Sequence, residues 1–152
     1  MKRIKAILFF ALCTLTFVAC DNGDNNDLPN KPIESKCYKG IMSVDQNDGT
    51  MYTQGAVEVD YELRGEDKLN FVMYKVKFAS GMPIKLDMVV EGVNYTEIDG
   101  NYTISGENIV PYAMGGPFER FTITQLEGTI TESEMSMTFM CGEYPVTYEG
   151  FK

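Results

Sequence analysis

The 152 residues contain no histidine and no tryptophan. Without histidine there is no Ser-His-Asp or Cys-His catalysis, no histidine-ligated metal centre and no imidazole-based pH switch. Helical periodicity is missing too: no segment sustains apolar residues at a 3.6-residue spacing, so helix content is expected to be low. Positive charge is scarce, with 13 Lys and Arg against 22 Asp and Glu. The N-terminal apolar run, Ala6 to Val18, has thirteen residues. A membrane-spanning helix needs about 20.

What is present begins with that run. Lys2, Arg3 and Lys5 precede it, which reads as a cleaved export signal. Phe17-Val18-Ala19-Cys20 resembles a lipobox, with small Ala19 before the cysteine that receives the diacylglyceryl group. It departs from the pattern at Phe17, where Leu is usual. Cys13 follows bulky Leu12, so Cys20 is the expected lipid attachment site. From Cys20 onward there are ten basic and all 22 acidic residues, a net charge of −12. Such a chain repels phosphate backbones, and no nucleic-acid partner is expected. The next stretch, "DNGDNNDLPNKPIESK", has no apolar periodicity and reads as a tether. Its sixteen residues reach roughly 50–58 Å when extended and about 20–24 Å as a flexible coil. Residues 1–19 are thus read as a signal peptide, 20–36 as lipidated cysteine and tether, and 37–152 as the folded domain.

The folded part alternates with period two. Val57, Val59, Tyr61 and Leu63 interleave with Glu58, Asp60, Glu62 and Arg64, the pattern of a strand with one dry and one wet face. Val72, Tyr74, Val76 and Phe78 are expected to share a face, as are Ile84, Leu86, Met88 and Val90, then Met135, Met137 and Phe139, then Val146 and Tyr148. Turn signals at 46–49, 64–67, 80–83, 98–101 and 115–117 separate these runs. Eight strands are expected, near 38–45, 50–63, 69–79, 84–91, 101–105, 118–130, 134–141 and 145–151, with a short ninth near 93–97. Eight alternating strands close into a barrel or stack as a sandwich.

"VKFASGMPIKLDMVVEGVNY", "YTISGENIVPY", "GGPFERFTITQLEGTIT" and "MSMTFMCGEYPVTYEGF" resemble the calycin-like lipoproteins of anaerobic Gram-negative bacteria, over most of residues 38–152. The resemblance implies an all-β fold: an eight-stranded antiparallel up-and-down barrel, lipocalin-like, on a chain anchored to the outer membrane. It implies no activity. The acidic string after Cys20 also resembles the export signal that sends some lipoproteins of these bacteria to the cell surface. Lipocalins proper carry Gly-x-Trp in the first strand; here Gly40 is followed by Met42, so the shape carries over and the ligand does not.

The remaining motifs read as structure. "DQNDGT" at 45–50 lacks the EF-hand spacing and fits a hairpin turn. Glu58, Asp60 and Glu62 lie on one outward face, unlike the facing pair of a glycosidase. "GGP" at 115–117 lacks the Lys-Ser/Thr of a phosphate loop, and the "NYT" sequons at Asn94 and Asn101 carry little meaning on a bacterial lipoprotein. Cys37 and Cys141 fall at opposite ends of the expected barrel, over ~20 Å apart at ~3.3 Å per residue, too far for a disulfide. No cofactor, metal or catalytic residue is expected. The first functional expectation is capture of a small apolar ligand, with Tyr61, Tyr74, Met88 and Phe139 as lining. The second is a protein-interaction or structural module acting on envelope partners through the outer surface. An enzyme ranks last.

Overall fold

The alternating segments close on themselves. The computed structural model describes residues 36–152, so the signal, Cys20 and most of the tether lie outside the described residues. In chain order the strands are β1 (Lys36–Asp45), β2 (Met51–Arg64), β3 (Lys68–Val76), β4 (Leu86–Ile98), β5 (Asn101–Gly106), β6 (Tyr112–Ala113), β7 (Gly116–Pro117), β8 (Ile123–Ile130), β9 (Glu134–Cys141) and β10 (Tyr144–Phe151). Eight of them form one antiparallel ring, β1-β2-β3-β4-β5-β8-β9-β10, which the β1–β10 and β3–β4 pairings close. This is an up-and-down barrel, and closure leaves no long strand edge open to another chain. The small β6–β7 hairpin extends the sheet beside β4, joined to it at Val89↔Tyr112, with Ala113 in the core. The only helical turn among the described residues is a 3₁₀ segment, Glu119–Phe121.

Three turns meet at one end and four connections at the other. Chain entry at Lys36 and the turns at 64–68, 98–101 and 130–134 make the lower rim; the connections 45–51, 76–86, 106–123 and 141–144 make the upper. In the lower turn after β4, Asp99 and Gly100 have φ of 52° and 77°, the left-handed pair that a two-residue hairpin needs.

Inward positions follow the alternation on β2, β9 and β10: Val57, Val59 and Tyr61, then Met135, Met137, Phe139 and Cys141, then Val146 and Tyr148. On β3 the structure corrects the expected face. Leu69, Phe71 and Met73 point in, and after a bulge at Lys75 (φ 54°) so do Val76 and Phe78, leaving Val72 and Tyr74 on the outer wall. The pairing records the extra residue: Met73 faces Met88, whereas Val76 faces Leu86. Matching bulges occur at Ala56 (φ 55°) in β2 and Gln125 (φ 51°) in β8, each at a register shift. Each places a side chain in the left-handed region at about 1–2 kcal/mol, and each sharpens the coiling that lets the sheet close. The segments expected at 84–91 and 93–97 are one strand, bent at Gly92, whose N–H donates to Asn70 Oδ1 at 2.9 Å. The expected start at 118 is instead the 3₁₀ turn, and β8 begins at Ile123.

Candidate functional site

The interior, the expected ligand space, is layered with large side chains. At the lower rim Tyr38, Tyr61, Tyr102 and Tyr95 form a chain of aromatic contacts with centroids 6.2, 6.0 and 5.5 Å apart. Their polar tips are served there: Tyr38 donates to Thr131 O at 2.6 Å and Tyr95 to Gly65 O at 3.2 Å. At the upper rim Phe78, Phe121 and Phe118 pack at 5.4 and 4.9 Å. Met82 folds over them, its sulfur accepting the Phe78 N–H at 3.2 Å. Between the rims lie Met42, Phe71, Met73, Met88, Ile104, Met137 and Tyr148, all buried.

Of the four expected lining residues, Tyr61, Met88 and Phe139 are inside and Tyr74 is not. They are not brought together. Tyr61 belongs to the lower aromatic layer, whereas Met88 and Phe139 lie toward the upper ends of β4 and β9. Tyr74, turned out by the Lys75 bulge, donates to Asp60 Oδ2 at 3.2 Å on the outer wall. Burial, followed by the charge of Asp60 and the bond to it, raises its phenol above the ordinary tyrosine range. The other outward carboxylates of β2 are also engaged: Glu58 with Lys39 at 3.2 Å and Glu62 with Arg64 at 2.7 Å. The 45–50 segment is self-bonded. Asp45 Oδ1 accepts the Asn47 N–H at 2.8 Å, and Asp48 Oδ1 accepts the Thr50 N–H at 2.9 Å and its hydroxyl. Those bonds to Thr50 hold the Asp48 carboxyl below the usual range.

The two thiols are free and far apart in role. Cys37 is exposed near the lower rim, opposite Asp60; partial burial and the Asp60 carboxylate raise its pKa. Cys141 is buried at the upper end of β9, 3.8 Å from Phe121 O, and burial raises its pKa strongly. Neither environment favours the reactive thiolate.

Outside the barrel, two places expose apolar side chains. A cleft of about 270 Å³ is lined by Lys39, Gly40, Ile41, Ala56, Glu149 and Phe151. Gly40 lies in its lining and pairs with Gly150, and a Cβ on Gly40 would lie 1.9 Å from the Glu149 carbonyl oxygen. The bulge at Ala56 turns β2 aside, and Ile41 and Phe151 stand as walls at 56% and 55% exposure. The second place is the β6–β7 hairpin, where Tyr112 and Met114 are 48% and 74% exposed, with exposed Ile84 before β4. Neither is legible in the sequence. The cleft needs the β1–β10 closure, and the hairpin residues carry only a turn signal.

The fold thus defines the protein as a closed, eight-stranded up-and-down barrel with large buried side chains inside and apolar side chains exposed on its outer surface. No protein-family model matches the chain, and neither a curated protein nor a solved structure matches it.

Proposed function

We propose that this protein is a lipid-anchored envelope barrel that works as a non-catalytic protein-interaction module through its outer wall. The observation that carries this reading is the cleft between β10, β1 and β2, with the exposed apolar side chains Ile41 and Phe151 in its lining. Apolar walls flanked by Lys39 and Glu149 suit a partner that supplies an apolar anchor and complementary charge. The large interior side chains weigh in the same direction, because a ligand-holding barrel leaves space that this one fills with aromatic and methionine side chains. Capture of a small apolar ligand is the competing reading, favoured by the methionines Met42, Met73, Met88, Met135 and Met137 inside, which repack readily.

A photo-crosslinking residue at Ile41 in cells of the native host tests the proposal. A discrete, reproducible protein adduct is expected from position 41 and not from Glu127 on the wall of β8. Equal or absent labelling at both positions refutes the cleft as a contact surface. An apolar small molecule co-purifying in native mass spectrometry would return the weight to ligand capture.

A further inference from the structure

Basic side chains gather in one place, beside the exposed acids Asp87 and Glu91 of β4. The net charge of the chain is −9, yet three of the eight basic side chains in residues 37–152 (Lys75, Lys77 and Lys85) meet where β3 enters β4. The Val76↔Leu86 pairing sets Lys77 level with Lys85 and Lys75 level with Asp87. The Asp87 carboxylate is bound to backbone, accepting the Lys75 N–H at 2.8 Å. Among the described residues none of the three lysines makes an ion pair.

Beside these lysines stands the apolar hairpin. The Val89↔Tyr112 pairing puts Tyr112 and Met114 on the outer face of β4 and brings Met114 to the level of Asp87. Neighbouring strands lie about 4.8 Å apart, so the lysine rows and the Met114 tip share one surface. Met114 and Gly115 both have positive φ, of 54° and 84°, which closes the hairpin tightly and holds the methionine outward. Ile84 adds a further exposed apolar side chain just before Lys85. A projecting apolar tip beside lysines fits a deformable, anionic acceptor: the tip enters the headgroup region and the lysines meet phosphates.

We infer that the β3–β4–β6 wall docks on an anionic lipid surface. This rests on the lipid-anchored reading above, and the physics needs it. Three lysines on an acidic chain bind a vesicle weakly from solution, but an anchor at Cys20 makes the contact intramolecular, at millimolar effective concentration. The remaining charge sets the orientation. Acidic side chains of the lower rim, Glu66, Asp67, Glu97, Asp99, Glu132 and Glu134, are exposed and repelled by the same surface. In the eight-membered ring β4 lies opposite β10 and β3 opposite β9. Docking through β3–β4 therefore turns the Ile41–Phe151 cleft away from the bilayer, where a partner can reach it.

The absence of tryptophan supplies the test. Full-length lipidated protein carrying Met114→Trp is reconstituted in equimolar phosphatidylglycerol and phosphatidylcholine vesicles whose acyl chains are brominated. Bromine quenches tryptophan only on contact with the acyl region. Quenching is expected at position 114, and not for Phe151→Trp on the opposite wall. Lys77→Glu with Lys85→Glu is expected to lower the docked-to-free ratio by at least about thirtyfold, the factor for two lost lysine contacts alone, before the added repulsion of two glutamates. Vesicles of phosphatidylcholine alone should give little quenching. Tyr112→Trp repeats the measurement if the turn does not accept tryptophan. Equal quenching at the two positions, no quenching at either, or quenching unchanged by charge reversal overturns the inference. So does protection of the Met114→Trp indole by an added envelope protein but not by lipid. The Ile41 crosslink reads the partner surface separately, so either reading can fail without the other.

Discussion

Tyr148 carries a hydroxyl into the middle of an apolar barrel, and its neighbours explain how. Gly150, two residues on, leaves room for it: a Cβ there would lie 2.3 Å from the phenol oxygen. The hydroxyl reaches Tyr38 O at 3.1 Å and Val57 O at 3.2 Å, so it ties β10 to β1 and β2 from inside. Burial raises its pKa far above the tyrosine norm, and burial does the same to the Cys141 thiol. A raised acid gives stability that is fully present below its unfolded pKa and is lost as pH rises beyond it. Stability should therefore decline first above about pH 8.5, the unfolded thiol value, and more steeply above about pH 10, the phenol value. Tyr148→Phe is expected to cost about 1–2 kcal/mol at neutral pH, the loss of a buried hydrogen bond, and to flatten only the second decline. Urea unfolding from pH 7 to 11 measures both. A second decline that persists undiminished in the variant would assign it to another group. That Tyr148 points inward is legible in the Val146–Tyr148 alternation. That it spans three strands is not, because its acceptors are 110 and 91 residues away.

At the scale of an element, the irregular stretch after β3 is held by two glutamines. Gln54, buried on β2, donates to Lys75 O at 2.6 Å and accepts the Lys77 N–H at 3.2 Å. Gln46 donates to Val44 O and Phe78 O and accepts the Ser80 N–H, at 3.2–3.3 Å. These side chains replace ladder bonds that the Lys75 bulge interrupts, and buried backbone groups need such partners. Gln54→Ala should cost about 2–3 kcal/mol by stranding a buried donor and acceptor. Amide exchange at Lys77 should accelerate more than at Val59 on the same wall. Uniform acceleration across the barrel would show that Gln54 supports global stability rather than this bulge. The bulge also explains why the sequence pattern points to the wrong face of β3. "FVMYKVKF" offers apolar residues in both phases, and one inserted residue exchanges them. Nothing in the local pattern marks Lys75 as the residue that takes φ 54°.

For the whole molecule, closure of the ring separates features that lie near each other in sequence and joins others. Cys37 ends up exposed near the lower rim and Cys141 buried near the upper. Brief alkylation of the native protein at pH 8 should modify Cys37 slowly, because its thiol is held protonated, and should leave Cys141 untouched until the protein unfolds. Peptide mapping by mass spectrometry reads both, and native labelling of Cys141 would show that the upper end opens readily. Closure likewise assembles the cleft from β1, β2 and β10, and β6 joins the sheet beside β4.

The sequence by itself determined eight alternating strands, their turns and most of the inward residues, because period-two burial is a local property of pleated backbone. The expectation of a lipid anchor rests on sequence alone, on the run that ends at Cys20. Only the tertiary structure decided that Tyr74 faces out, that aromatic clusters sit at both ends of the barrel, and that Tyr112 of β6 pairs with Val89 of β4. Those facts depend on single-residue register shifts and on contacts between distant strands. Closure of the ring sets both, and no short window of sequence contains them.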